Sequence, residues 1–270
     1  MQVNLMVDTI FASFLPVGSL SWLYYSDRLL EFPLGIFGVA LATVVLPHLS
    51  EQHAKNEAHN FSASIDWALR WIVLIGLPAT LGLVSLAGPI LVTLFHYGEF
   101  TTFDVVMARR SLVALSLGLM FFISVKIFVS AFYAQQNTKY PVKIALLAMG
   151  VNVIFNILLI VPLKHAGLAL ASTLASFFNV GMLFYALWRQ KSYRPMAGWK
   201  GFWFRMVIAN GSMIATILLL TPELSSWLGW SVSLRIFNLT KIIAAAGGIY
   251  TCMLLLFGLR VGHLRLQSAT

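Results

Sequence analysis

The sequence predicts an all-α polytopic membrane protein of about eight transmembrane helices, and three observations carry that reading. The first is composition: 59% of the 270 residues are hydrophobic and 10% are charged, against roughly 45–50% and 25% in soluble domains. With a mean hydropathy of +0.85, the chain requires lipid as its solvent. There every spanning segment must satisfy its own backbone hydrogen bonds. The second is pattern: the apolar runs are long and continuous, with no period-two alternation, which rejects a barrel and leaves helices. The third is charge. Lys and Arg number 18 against 9 Asp and Glu, and the cations fall mostly in short links between apolar runs. That is the pattern of membrane topology, so no nucleic-acid partner is expected.

Taken in order, the expected spans are 3–15, 22–45, 65–95, 106–133, 142–161, 167–188, 202–220 and 236–257. The first is too short, since crossing the hydrocarbon takes roughly 20 apolar residues. It also has no basic leader and no small-residue cleavage site, so it is not a signal peptide. It reads either as an interfacial or re-entrant helix, or as the first segment of the back part of a longer protein. In the third span, Pro78 and Gly88-Pro89 are expected to kink or end the helix, which polytopic proteins tolerate. The link after the second span has Lys55, and that after the fourth has Lys139 and Lys143. The link after the sixth has Arg189, Lys191, Arg194 and Lys200, and the tail has Arg260 and Arg265. The alternate links are poor in cations, with Lys164 and Arg235. Both termini are therefore expected in the cytoplasm.

Few residues carry chemistry. Cys252 is the single cysteine, so no disulfide or cysteine metal site forms within one chain. His48, His53 and His59 share one link at spacings that do not fit an i, i+4 zinc pair. No glycine-rich phosphate loop, nucleophile elbow or Cys–His arrangement occurs, and no enzyme is expected.

The charged residues inside the spans are the exception. Asp27, Arg28 and Glu31 lie in the second span, where each charge costs roughly 2.5–3.5 kcal/mol even on lenient insertion scales. Arg28 and Glu31 share a helical face. Either Arg28 snorkels to the interface, or it faces a water-filled cavity as an anion site, its planar fork being suited to phosphate. Lys126, in the fourth span, could face the same cavity, and Arg109 and Arg110 enter that span from the other side. Asp8 stands among apolar residues in the first span. Asn152 and Asn156 lie four apart in the fifth, and Thr173 lies in the sixth. Those oxygens are hard ligands for an alkali cation; the alternative is packing glue between helices.

The stretch "SWLYYSDRLLEFPLGIFGVALATVVLPHLS" closely resembles the eighth transmembrane helix and following link of the MurJ (MviN) family. These are lipid II flippases of bacterial peptidoglycan synthesis, within the multidrug/oligosaccharidyl-lipid/polysaccharide exporter superfamily. "LFHYGEFTTFD", "KYPVKIAL" and "PLKHAGLALA" are similar to later stretches of that family in the same order. The resemblance implies fourteen helices in two six-helix lobes plus two C-terminal helices that line a lipid-tail groove. The spans here would be helices seven to fourteen: residues 1–190 a six-helix lobe and 191–270 the tail-groove pair.

The resemblance further implies that Arg28 lines a central cavity and binds the pyrophosphate of lipid II. Asp27 and Glu31 would tune or pair with it, and Lys126 would line the same cavity. It implies sodium between helices seven, eleven and twelve, held by Asp8, Asn152, Asn156, Thr173 and the backbone of Ala169. The expected setting is the bacterial inner membrane. The expected partners are lipid II, membrane lipids and a separate N-terminal six-helix lobe. The rivals are an exporter of another polyprenyl-linked sugar or drug, a non-transporting scaffold, and a gene remnant.

Overall fold

The computed structural model describes the backbone of residues 2–258 and the side chains of 6–258; Arg260 and Arg265 lie outside the described residues. Among those described the chain is helical, with no strand. Helix α1 spans Gln2–Ser13. The long helices are α2 (Ser19–Ala54), α3 (Ala58–Phe95), α4 (Thr102–Ala134), α5 (Lys139–Leu163), α6 (His165–Arg189) and α7 (Trp199–Leu220). A short α8 (Leu224–Gly229) precedes α9 (Val232–Leu256). Seven of these, α2–α7 and α9, are long and apolar enough to cross a membrane. Helix α1, at 12 residues, is shorter than a span requires.

Two of the long helices widen where proline interrupts the ladder. In α2 a π-helical segment, Leu34–Val39, follows Pro33. In α3 one at Ile72–Gly76 precedes Pro78. Proline has no N–H to give the carbonyl four residues back, and its ring crowds that carbonyl. For Pro78 that carbonyl is Leu74's, and the Tyr250 hydroxyl of α9 donates to it at 2.6 Å. The helix therefore widens and continues. The expectation that Gly88-Pro89 might end it is not met: α3 runs through to Phe95. Helix α4 breaks at Leu117-Gly118, where the Gly118 N–H turns to Leu115. Helices α5 and α6 form a tight hairpin, and a Cβ at Gly167 would collide with the Leu159 carbonyl.

Buried apolar side chains form two clusters. One joins α2, α3, α4 and α6 through Leu49, Ile65, Leu119, Ile127 and Leu183. The other fastens α7–α9 to α3 and α4 through Leu91, Leu112, Met206, Trp227 and Tyr250. Helices α7 and α9 pack on each other and dock on α3. The start of α2 is tied to α4 by the Trp22 indole, which donates to Asp104 at 2.7 Å. Asp104 itself closes a capping box with Thr101.

The segment 190–198 joins the first six helices to the last pair, and a buried carboxylate pins it. Asp66, on α3, is 2% exposed. Its Oδ1 accepts from the Tyr193 hydroxyl at 3.1 Å, the Met196 N–H at 3.1 Å and the Trp199 indole at 2.7 Å. Its Oδ2 accepts from Arg70 Nε at 2.8 Å, and Arg70 also donates to the Ala197 carbonyl at 2.8 Å. Burial, then the charge of Asp66, pushes the Tyr193 hydroxyl well above the usual tyrosine range, so it stays a donor.

Candidate functional site

Arg28 stands nine residues into α2, roughly 14 Å along the helix from Ser19, inside the helix Ser19–Ala54 that is long and apolar enough to cross a membrane. It donates from Nη1 to Glu31 at 2.7 Å, and its side chain is 56% exposed against 39% for Glu31. The guanidinium also lies over the Tyr24 ring, 4.9 Å from its centre. An interfacial snorkelling arginine reaches past its helix end; this one turns sideways and is held along its own helix by residues four before and three after. Asp27, the neighbour in sequence, is half-buried and makes no hydrogen bond among the described residues. The arrangement presents one cation, with part of its fork free, on an open face of α2 next to the widened segment.

Lys126 does not join it. Its stem crosses α2 ten residues further on, where a methyl at Gly38 would sit 3.3 Å from Lys126 Cδ. Glycine at 38 gives the lysine stem room to lie against the widened turn.

Asp8, Asn152 and Asn156 come together as the sequence suggests. Asn156 Nδ2 donates to Asp8 Oδ1 at 2.8 Å and to Asn152 Oδ1 at 3.2 Å. The fourth member is Ser172, whose hydroxyl donates to Asp8 Oδ2 at 2.9 Å and accepts from Asn152 Nδ2 at 3.2 Å. Sequence reading chose the adjacent Thr173 instead. The Thr173 hydroxyl donates to the Ala114 carbonyl at 2.8 Å, which the break at Gly118 leaves without its helical donor. Ala169 is packed in the first apolar cluster. Both asparagines are fully buried, and the Asn156 Oδ1 has no hydrogen-bond partner among the described residues. A buried carbonyl oxygen without a donor, next to a carboxylate, fits a small hard cation.

The histidines expected in a link are helical and stay apart: His48, on α2, bonds the Val44 carbonyl, His53, also on α2, lies against Phe61, and His59 is on α3. Among the described residues no group of three or more His, Cys, Asp or Glu gathers around a common point. Tyr24 and Asp66 were missed in the sequence. Tyr24 could have been found from its four-residue spacing to Arg28.

The family profile described as "Lipid II flippase MurJ" matches residues 1–239. Among curated proteins, the chain is 41% identical over 266 residues to the "Probable lipid II flippase MurJ" of Vibrio cholerae, covering 98% of this chain and 50% of that one. It is 41% identical over 269 residues to the protein of the same description from Haemophilus influenzae, covering 97% and 52%. It is 35% identical over 269 residues to the "Lipid II flippase MurJ" of Burkholderia cenocepacia, covering 99% and 52%. A solved structure titled "Lipid II flippase MurJ, inward closed conformation" superposes with a TM-score of 0.74 at 26% identity, over 94% of this chain and 52% of that one. The chain thus spans about half the length of the relatives it matches. With a family profile over most of its length, relatives this similar and the same helical architecture, this multi-span membrane chain belongs to the MurJ family of lipid II flippases.

Proposed function

We propose that the chain works as the C-terminal half of a lipid II flippase in the bacterial inner membrane, moving an undecaprenyl-pyrophosphate-linked precursor rather than transforming it. Residues 1–190 act as the C-terminal lobe and 191–270 as the helix pair lining the lipid-tail groove. The observation that carries the reading is Arg28, a guanidinium on an exposed side chain within a membrane-spanning helix. It would hold the pyrophosphate while Asp27 and Glu31 set its local field. A cavity between lobes needs a second six-helix lobe, supplied by the rest of a longer chain or by a separate one. The two lobes then rock around the site, as in other transporters built from repeats.

Sodium is the proposed coupling ion. Asp8, Asn152 and Asn156 would hold it, with Ser172 the hydroxyl nearest to them and Thr173 reaching it only by leaving Ala114. Bound there, it would supply a positive charge that offsets Asp8 between α1, α5 and α6. The surplus of Lys and Arg in alternate links supports cytoplasmic termini.

Complementation tests the reading. The chain is expressed in cells depleted of their own lipid II flippase, alone and with a matching N-terminal six-helix lobe. Rescue with the lobe, lost again in Arg28→Ala, is the expected result. A stably inserted chain that rescues under neither condition is a remnant, and the reading falls.

A further inference from the structure

We infer that Arg28 works in a two-sided clamp in which Tyr24 is the permanent partner and Glu31 is the partner an incoming phosphate displaces. The inference rests on the reading of Arg28 as the anion site, and names what positions it and what competes for it.

The two neighbours differ in how they are held. Tyr24 is 54% exposed, yet its ring stands edge-on against Tyr25 at 5.9 Å. Tyr25 in turn packs on Phe95 at 4.7 Å and Phe100 at 5.1 Å. A row of rings therefore leads from the end of α3 to the guanidinium and braces the platform on which it lies. The ring lies 4.9 Å from the guanidinium carbon, a cation–π distance that steadies the fork while its five N–H donors remain the groups an anion must meet. Glu31 occupies part of that fork by one bond from Nη1. It is bound by nothing else among the described residues and is partly exposed, so a pyrophosphate diester, with one charge on each phosphate, can compete with it for the same donors. The Tyr24 ring is held by its own row of neighbours and not by Glu31, so the platform persists when Glu31 leaves. The clamp thus keeps the empty site neutral within the membrane while fixing the plane into which the phosphate docks.

The test is titration of lipid II into the 270-residue chain paired with a matching N-terminal six-helix lobe in zwitterionic nanodiscs, read by thermophoresis, with inorganic pyrophosphate as a competitor. Arg28→Ala is expected to lose binding. Tyr24→Leu is expected to weaken it about three- to tenfold, with Tyr24→Phe within about twofold of the unaltered chain. Glu31→Gln is expected to tighten binding severalfold, because a neutral amide competes less well with phosphate. Both Tyr24 changes lie at an exposed position, and the phenylalanine variant separates a lost ring from a disturbed helix. If Arg28→Ala binds like the unaltered chain, or the unaltered chain does not bind, the reading of Arg28 falls and the clamp with it. If Arg28→Ala loses binding while Tyr24→Leu keeps it, or Tyr24→Phe is as weak as Tyr24→Leu, the platform is wrong and the anion site stands. Unchanged or weaker binding in Glu31→Gln overturns the displacement.

Discussion

The chain carries two arginine–carboxylate pairs of nearly equal length on neighbouring turns of helix, with opposite surroundings. Arg70 and Asp66 meet at 2.8 Å with side chains 23% and 3% exposed. Arg28 and Glu31 meet at 2.7 Å with side chains 56% and 39% exposed. In the first pair every stated acceptor has a use: Asp66 takes four donors and Arg70 closes on Ala197. In the second, one bond joins the partners and the guanidinium otherwise meets only Tyr24 among the described residues. A charge pair that is saturated and buried serves the fold, because nothing remains for a ligand to bind. A pair left open within a membrane-spanning helix keeps donors that a ligand can use.

Asp66→Ala breaks the saturated pair and has the largest expected effect. Removing one partner of a buried ion pair typically costs about 3–5 kcal/mol, and here the Tyr193, Met196 and Trp199 donors are stranded too. Denaturant unfolding in micelles, followed by tryptophan emission, should show that loss. A loss under about 1 kcal/mol would place Asp66 with the weak exposed pairs and dissolve the contrast.

A second buried cation sharpens the comparison without any carboxylate, although its Nε has no hydrogen-bond partner among the described residues. Arg235 is 6% exposed and donates to the Leu228 carbonyl at 3.0 Å and the Val92 carbonyl at 3.4 Å. Both carbonyls belong to last helical turns, of α8 and α3, where the helix leaves acceptors unpaired and a partial negative charge. Two helix ends thus stand in for an anion. Arg235→Leu strands both carbonyls, and the expected loss is about 2 kcal/mol, smaller than for Asp66 because part of each carbonyl's need is met near the helix ends. The same unfolding measurement checks it, and an unchanged midpoint would show that burial alone holds Arg235.

How far all this was legible in the sequence depends on the range of the cause. Span positions follow from local hydropathy, and the helices occupy the expected runs, extended by a few residues at most ends. The bend of α3 was only half legible: Pro78 announces a disrupted ladder, but Tyr250, which takes the freed Leu74 carbonyl, comes from 176 residues away. Asp66 was passed over although "SASIDWALRW" opens the expected third span, because nothing local separates a buried acceptor there from an i, i+4 pair at the span's end. Its burial is imposed by a link more than 120 residues later. Asp8 with Asn152 and Asn156 was legible because buried polar groups need each other. Choosing between Ser172 and Thr173 needed the rotational phase of α6 and the break in α4, which no local pattern encodes.

The smallest expected effect is the one that gives the contrast its meaning. Arg28→Ala and Glu31→Gln should leave the unfolding midpoint where it is, since an exposed pair contributes little to stability. The same substitutions should move lipid II binding in opposite directions, loss for the first and gain for the second. A residue within a membrane-spanning helix whose removal costs no stability and yet abolishes binding is retained for what it binds. If Arg28→Ala instead lowered the midpoint as Asp66→Ala does, Arg28 would be a fastening of the fold. The two pairs would then differ only in exposure, and openness within a spanning helix would cease to mark function.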